Sequence, residues 1–206
     1  MKIVLIGAPA SGKGTQAQFL AKEFNLKHIS TGNMFREIMS YENPLKSEVE
    51  SYVSNGKLVP DEITLNLVLN TLSNQNIQNF LLDGFPRNLN QAKMLTNAIG
   101  IDYAIYIDTD YNEIVNRSLN RLVCPSCKKN YNKTKLINYV CDSCNAQLTT
   151  RTDDNEIVIK QRYNEFINST YPIIDYYKNL NKLIIVNGNE NPETVFKNIK
   201  VKIVKW

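Results

Sequence analysis

An apolar run, Ile3-Val4-Leu5-Ile6, passes without a break into Gly7-Ala8-Pro9-Ala10-Ser11-Gly12-Lys13-Gly14-Thr15, and nothing else in the chain constrains it so tightly. The run reads as a buried strand and the glycine-bracketed stretch as a phosphate-cradling loop. Glycines five residues apart let the backbone curl until successive N–H groups point inward, and Lys13 then reaches the outer phosphates of a polyphosphate. The usual hydroxyl directly after the lysine is replaced by Gly14 and arrives one residue later as Thr15, which suits a magnesium held mainly by water and phosphate. Ala17, Leu20, Ala21 and Phe24 follow at helical spacing, so the loop opens into a helix with one buried stripe.

Four cysteines form the second chemical feature, as Cys124-Pro125-Ser126-Cys127 and Cys141-Asp142-Ser143-Cys144, with thirteen residues between the pairs. A two-residue gap turns both sulfurs of a pair toward one point, and two such turns supply the four thiolates of a closed tetrahedral site about 2.3 Å from a zinc ion. Four thiolates leave no open coordination position, so the metal is expected to be structural. Iron suits the same donors. With no secretory signal in view, disulfides are the less favoured reading. Tyr131, Leu136, Tyr139 and Val140 between the pairs predict a small strand hairpin around the metal.

A chain of 206 residues supports one core with smaller excursions. Its formal charge of +4 contains no basic block, which favours small anionic ligands over nucleic acid. No apolar stretch is long enough to span a membrane, and the expected location is cytoplasmic. Asn66, Asn70 and Asn116 stand where helices prefer better formers, a bias with no functional account.

Further apolar runs at 79–84, 104–108 and 183–188, with a short one at 28–30, alternate with helical patterns such as Leu65, Val68, Leu69 and Leu72 after Pro60-Asp61. That alternation predicts an α/β fold, a parallel sheet with helices on both faces. Two segments, about 31–60 and 123–155, interrupt it. Asp83-Gly84-Phe85-Pro86-Arg87 follows Phe80-Leu81-Leu82, placing a carboxylate at a strand's carboxyl end, where open α/β sheets bind ligands. Asp83 is suited to orient magnesium-bound water, and Arg87 to grip a phosphate with its two-pronged guanidinium. Arg117 and Arg121 are expected to share a helix whose apolar face is Ile114, Val115, Leu119 and Leu122. Arg151 precedes a helix-start cluster, Thr152-Asp153-Asp154-Asn155-Glu156, and Arg162 lies in the helix that follows. The single histidine, His28, and Trp206 receive no role.

Together these motifs resemble the adenylate kinase family, within the P-loop nucleoside monophosphate kinases, over essentially the whole chain. The resemblance rests on Gly7 to Thr15 with Gln16, Ser30 to Arg36, Gly56-Lys57-Leu58-Val59-Pro60-Asp61, Asp83 to Arg87 with Gln91, the Arg117 and Arg121 pair, and Arg151 to Asp154 with Arg162. It implies a core domain of 1–29, 60–122 and 156–206, a monophosphate-binding domain of 30–59 and a metal-bearing lid of 123–155. It also implies Mg2+-dependent, reversible phosphoryl transfer from ATP to AMP giving two ADP, by a monomer.

By the same resemblance ATP would be held by Ala10, Ser11, Gly12, Lys13, Gly14 and Thr15, with Arg117, Arg121, Asn130, Tyr131 and the backbone near Glu190. AMP would be held by Thr31, Arg36, Lys57, Leu58, Val59, Gly84, Phe85, Pro86, Arg87 and Gln91, together with Arg151 and Arg162. Gln91 would read the adenine edge, whereas kinases of pyrimidine monophosphates tend to carry asparagine in that turn. Lys13, Arg87, Arg121, Arg151 and Arg162 would neutralise the transferring group, Asp83 would hold magnesium through water, and Cys124, Cys127, Cys141 and Cys144 would hold zinc. Ala10 stands where many members have a third glycine, and Asn33 where aspartate is common. Two alternatives stay open on the residues alone: a kinase of UMP, CMP or GMP, and a nucleotide-switched module whose cysteine knuckle touches nucleic acid.

Overall fold

The computed structural model describes residues 1–54, 57–127, 129–151 and 154–204. The expectations placed on Gly56, Thr152, Asp153 and Trp206 lie outside the described residues. In chain order the elements are β1 (Lys2–Ile6), α1 (Lys13–Glu23), β2 (Lys27–Ser30), α2 (Thr31–Ser40), α3 (Lys46–Val53), α4 (Asp61–Asn74), β3 (Phe80–Asp83), α5 (Leu89–Ile99), β4 (Tyr103–Asp108), α6 (Tyr111–Leu119), β5 (Arg121–Val123), β6 (Asn130–Asn132), α7 (Glu156–Glu165), α8 (Pro172–Asn179), β7 (Leu183–Asn187) and α9 (Pro192–Val204).

Among the described residues, five strands form one parallel sheet in the order β2-β3-β1-β4-β7. Strand alternation divides the apolar runs between two cores. Val4, Ile6, Leu82, Ala104 and Tyr106 face a layer that includes Leu65 and Val68 of α4, Leu95 of α5 and Tyr177 of α8. Ile3, Leu5, Leu81, Ile105 and Ile107 face the other layer, with Ala17 and Leu20 of α1 and Val195 and Ile199 of α9. A sheet covered on both faces needs apolar residues at consecutive positions, which is why its strands read as unbroken apolar runs. No helix among the described residues is long and apolar enough to cross a membrane.

The two interruptions carry separate small cores. Ile38 of α2, Val49 of α3 and Val59 are buried together, with Phe35, Tyr52 and Ile63 packed against them. Among its described residues the cysteine unit buries only Leu122, Cys124, Cys141 and Leu148 as an apolar cluster, backed by Tyr131, Leu136 and Ala146. So few apolar side chains supply too little burial to hold a unit of this length without a cross-link.

Two local expectations are corrected. The helix expected to carry both Arg117 and Arg121 stops at Leu119, and Arg121 opens β5. Asn120 ends the helix, its side-chain amide donating 2.9 Å to the Asn116 carbonyl. Pairing with β6 then draws Arg121, Leu122 and Val123 into a hairpin, and Leu122 is buried with the cysteines instead of lining α6. That hairpin brackets the first cysteine pair, whereas the sequence placed it between the pairs. Tyr139 and Val140 remain exposed, Val140 forming an isolated bridge with Gln147.

Candidate active site

The loop after β1 sits at the carboxyl end of the sheet's central strand. Its curl demands left-handed backbone at Gly12, with φ 100°, and at Ala10, with φ 61°. Gly12 is unstrained there because it lacks a Cβ. Ser11, Thr15 and Gln16 direct backbone N–H groups back into the loop, to Ala8 and twice to Gly12. The Lys13 ammonium donates to the carbonyls of Gly7 at 2.7 Å and Ala8 at 2.8 Å. Burial lowers its pKa to about 8; nearby Asp83 opposes that shift, and Arg87 and Arg121 add to it. Lys13 is therefore a cation held among cations, poised for an anion.

Asp83 ends β3, next to β1 in the sheet. Burial raises its pKa, but the neighbouring His28, Lys13 and Arg87 outweigh this and hold the carboxyl below its ordinary value. His28, given no role by the sequence, lies on β2 with Nε2 3.6 Å from Asp83 Oδ2. Parallel pairing of β2 with β3 sets His28 opposite Leu81 and Ser30 opposite Asp83, a non-local register that no local motif encodes.

The turn after Asp83 is built around Gly84, with φ 85°. A Cβ there would lie 3.0 Å from Thr31 Oγ1 and 3.2 Å from Arg87 Nη2. The Gly84 carbonyl accepts from both side chains, at 3.0 Å from Thr31 and 2.8 Å from Arg87 Nε, and a cis Phe85–Pro86 bond follows. Thr31, at the start of α2, and Arg87 are thereby fixed to one carbonyl. Gln91, 2 % exposed in the first turn of α5, accepts from the Arg87 backbone N–H at 2.7 Å. Arg36 hydrogen-bonds Asn33.

The remaining arginines arrive from the cysteine unit and its flanks. Arg121 makes a two-pronged pair with Asp154, in which Arg121 is 16 % and Asp154 5 % exposed. Arg117 pairs with Glu113 at 2.6 Å and donates 3.3 Å to the Ser11 carbonyl, which ties α6 to the phosphate loop. Arg151 Nη2 donates 3.1 Å to Asn130 Oδ1. Arg162, in α7, is close enough to Arg87 to lower its pKa, after burial and against the pull of Asp83. Gly14 lies beneath the cysteine unit and beside Asp83: a Cβ built there would stand at ordinary contact distance, 3.9 Å from Asn130 Nδ2 and 4.0 Å from Asp83 Oδ2. The cysteine unit thus overhangs the loop.

Of the other expected residues, Val59 is buried beside α2, and Lys57 donates its backbone N–H to Tyr52. Leu58 lies between them, half-buried, and Phe85 is fully buried in the sheet's core. Glu190 accepts 2.9 Å from Asn198 of α9, in the turn after β7 on the far side of the sheet's carboxyl edge from Thr31.

The four cysteine sulfurs lie within 4.8 Å of one another, Cys124 and Cys144 3.3 Å apart and Cys127 and Cys141 3.5 Å. Four thiolates around zinc at about 2.3 Å stand about 3.8 Å apart, so the cluster fits the ion closely. The Tyr131 hydroxyl lies between Cys141 Sγ, at 3.1 Å, and the Asp142 carboxylate, which Lys129 also grips at 2.6 Å. The Tyr131 hydroxyl, its one proton shared between Asp142 and the sulfur, is the main cause pulling the Cys141 thiol down to about 6, toward the thiolate that a metal requires.

A parallel sheet in this strand order, a phosphate loop on its central strand, a helical excursion and an overhanging arginine-rich unit define a P-loop nucleoside monophosphate kinase. A family profile described as "Adenylate kinase" matches residues 5–182. Curated adenylate kinases from Thermosipho africanus and Clostridium perfringens are each 41 % identical to this chain. The matches span 97 % of this chain in both cases, with 97 % of the Thermosipho protein and 96 % of the Clostridium protein. One from Ureaplasma parvum is 40 % identical over 97 % of this chain and 96 % of its own. The chain belongs to the adenylate kinase family.

Proposed function

We propose that this chain catalyses reversible phosphoryl transfer from Mg-ATP to AMP, giving two ADP. The observation that carries the reading is the gathering of Asp83, Arg87 and Arg121 around the ammonium of Lys13, which donates to the Gly7 and Ala8 carbonyls at the carboxyl end of β1. Lys13 and Arg87 beside the Asp83 carboxylate, with Arg121 near Lys13 and a curled loop next to them, suit a polyphosphate with a divalent ion. Membership of the family, and the adenylate kinases matched across nearly the whole chain, support the same reaction.

The attacking atom is an AMP phosphate oxygen that is already anionic, so no side chain has to remove a proton. Catalysis reduces to in-line positioning and to neutralising charge on the group in flight. Ala10 to Thr15 hold the ATP phosphates, with Lys13 on the outer ones. Thr31, Arg36 and Arg87 hold the AMP phosphate, and Lys57, Leu58, Val59 and the turn Gly84 to Pro86 line its nucleoside. Gln91 reads the adenine edge. Arg121, Arg151 and Arg162 close on the phosphates, Asn130 with them, while Arg117 and the backbone near Glu190 flank the ATP base. Asp83 holds Mg2+ through water, and that ion supplies charge neutralisation on the ATP phosphates.

Residues 30–59 and 123–155 act as two closing units on a core of 1–29, 60–122 and 156–206. Their closure expels water that would otherwise accept the phosphoryl group. Cys124, Cys127, Cys141 and Cys144 hold a structural zinc that stands in for the lid's missing core. The protein acts as a cytoplasmic monomer without a nucleic-acid partner.

The test is a scan of AMP, UMP, CMP and GMP as acceptors with Mg-ATP, reading nucleoside diphosphate formation, alongside Lys13→Ala. AMP is expected to be the preferred acceptor and Lys13→Ala to lose transfer by about a thousandfold, the scale of one charge-stabilising group. Well-folded protein that phosphorylates another monophosphate in preference to AMP would overturn the assignment.

A further inference from the structure

Gln91 is expected to read the base, yet a glutamine amide turned over presents the opposite pattern of donor and acceptor. Its orientation therefore decides which purine it fits. Asp61, the first residue of α4, accepts on Oδ1 from Gln91 Nε2 at 2.8 Å and from Asn88 Nδ2 at 2.8 Å. Its Oδ2 accepts 2.8 Å from Asn90. Asn88 in turn caps α5 by accepting 2.8 Å from the Gln91 backbone N–H. At the other end of the same side chain, Gln91 Oε1 accepts from the Arg87 N–H.

We infer that Asp61 is a positioning residue for acceptor-base selection, locking the Gln91 amide in the one orientation that suits a 6-aminopurine monophosphate. A carboxylate only accepts, so Nε2 must be the atom facing it, and the Arg87 N–H only donates, so Oε1 must face that side. Each end keeps one valence, an N–H on Nε2 and a lone pair on Oε1. Adenine matches them with a ring-nitrogen acceptor beside an amino donor, whereas a 6-oxopurine sets its oxygen against Oε1. The inference rests on the proposed reading of Gln91, and the choice of variants separates the two.

The experiment compares kcat/KM for AMP and for inosine monophosphate, with Mg-ATP, in the parent, Asp61→Ala, Asp61→Asn and Gln91→Ala, with thermal unfolding to establish that each is folded. Asp61→Ala is expected to lower the AMP preference about tenfold, mainly through a higher KM for AMP, as expected when a bidentate base contact loses its registration. Asp61→Asn is expected to keep most of the preference. Its carbonyl oxygen can stay toward Gln91 while its NH2 turns to Asn90, whose exposed amide is able to rotate. Asp61→Ser replaces the alanine variant if that fails to fold, since its hydroxyl is too short to reach Gln91 but still tolerates a helix start. An unchanged preference in Asp61→Ala or Asp61→Ser, with a lowered one in Gln91→Ala, overturns the role of Asp61, as does an equal loss for both acceptors. An unchanged preference in Gln91→Ala overturns the reading of Gln91 itself, and this inference with it.

Discussion

Binding of Mg-ATP should draw a proton from solution at mildly alkaline pH, and Lys13 sets how much. Its pKa falls from 10.5 to about 8, through burial first and then through Arg87 and Arg121. A shift of that size corresponds to about 3 kcal/mol disfavouring the ammonium in the free protein. Because the folded pKa lies below the unfolded one, this cost is fully present below pH 8 and recedes as pH rises from about 8 toward 10.5, where folded protein binds fewer protons than unfolded. Phosphates arriving at Lys13 favour the charged form and return the pKa toward its ordinary value. At pH 8.5 about three quarters of the free protein would carry neutral Lys13, so binding takes up about 0.7 proton per site, against about 0.1 at pH 7. Calorimetry in two buffers of different ionisation enthalpy reads this number directly. At that pH the Mg-ATP phosphates contribute no proton of their own. Uptake below about 0.2 proton at pH 8.5, or the same uptake in Lys13→Met, would refute the reasoning, because burial would then not govern this ammonium.

Gly84→Ala should raise the KM for AMP and cost about 1–3 kcal/mol in urea unfolding, since its Cβ meets Thr31 Oγ1 at 3.0 Å with the backbone at φ 85°; an unchanged KM would show that the turn does not hold the acceptor. Asp154→Ala should destabilise by about 3 kcal/mol, because it leaves the Arg121 guanidinium without its only described carboxylate partner in a mostly buried setting, and urea denaturation yielding a loss under about 1 kcal/mol would place that pair effectively in water. Metal analysis should give one zinc per chain, and chelation should lower the melting temperature by several degrees, about what a few kcal/mol of lost lid stability predicts. Melting that stays put after demonstrated metal loss would remove the structural role of the cysteines.

Much of the site was legible because its chemistry is local in sequence. Gly7 to Thr15 forms one continuous loop, each cysteine pair one turn, and Gly84 to Arg87 another, so residue type and spacing suffice. Arg121 shows where such reading stops. Four residues after Arg117 it fits a helix as well as a strand, and only pairing with Asn132 across the β5–β6 hairpin settles the choice. The meeting of the Tyr131 hydroxyl with Cys141 and Asp142 is likewise beyond local spacing, because it needs the second knuckle to fold back onto β6. His28 offered no signal at all. Its contact with Asp83 exists because β2 lies beside β3, fifty residues on in the chain.

The sequence by itself determined the class of fold, the phosphate loop and the four-sulfur cluster. Each depends on periodicity or on groups a few residues apart, which backbone geometry brings together wherever the segment sits. Tertiary structure alone decided which groups meet across the sheet edge: Lys13 among Asp83, Arg87 and Arg121, Arg121 with Asp154, and Asp61 with Gln91. Those meetings set charge states and the orientation of an amide. Both follow from burial and from partners that strand order, not sequence distance, makes neighbours.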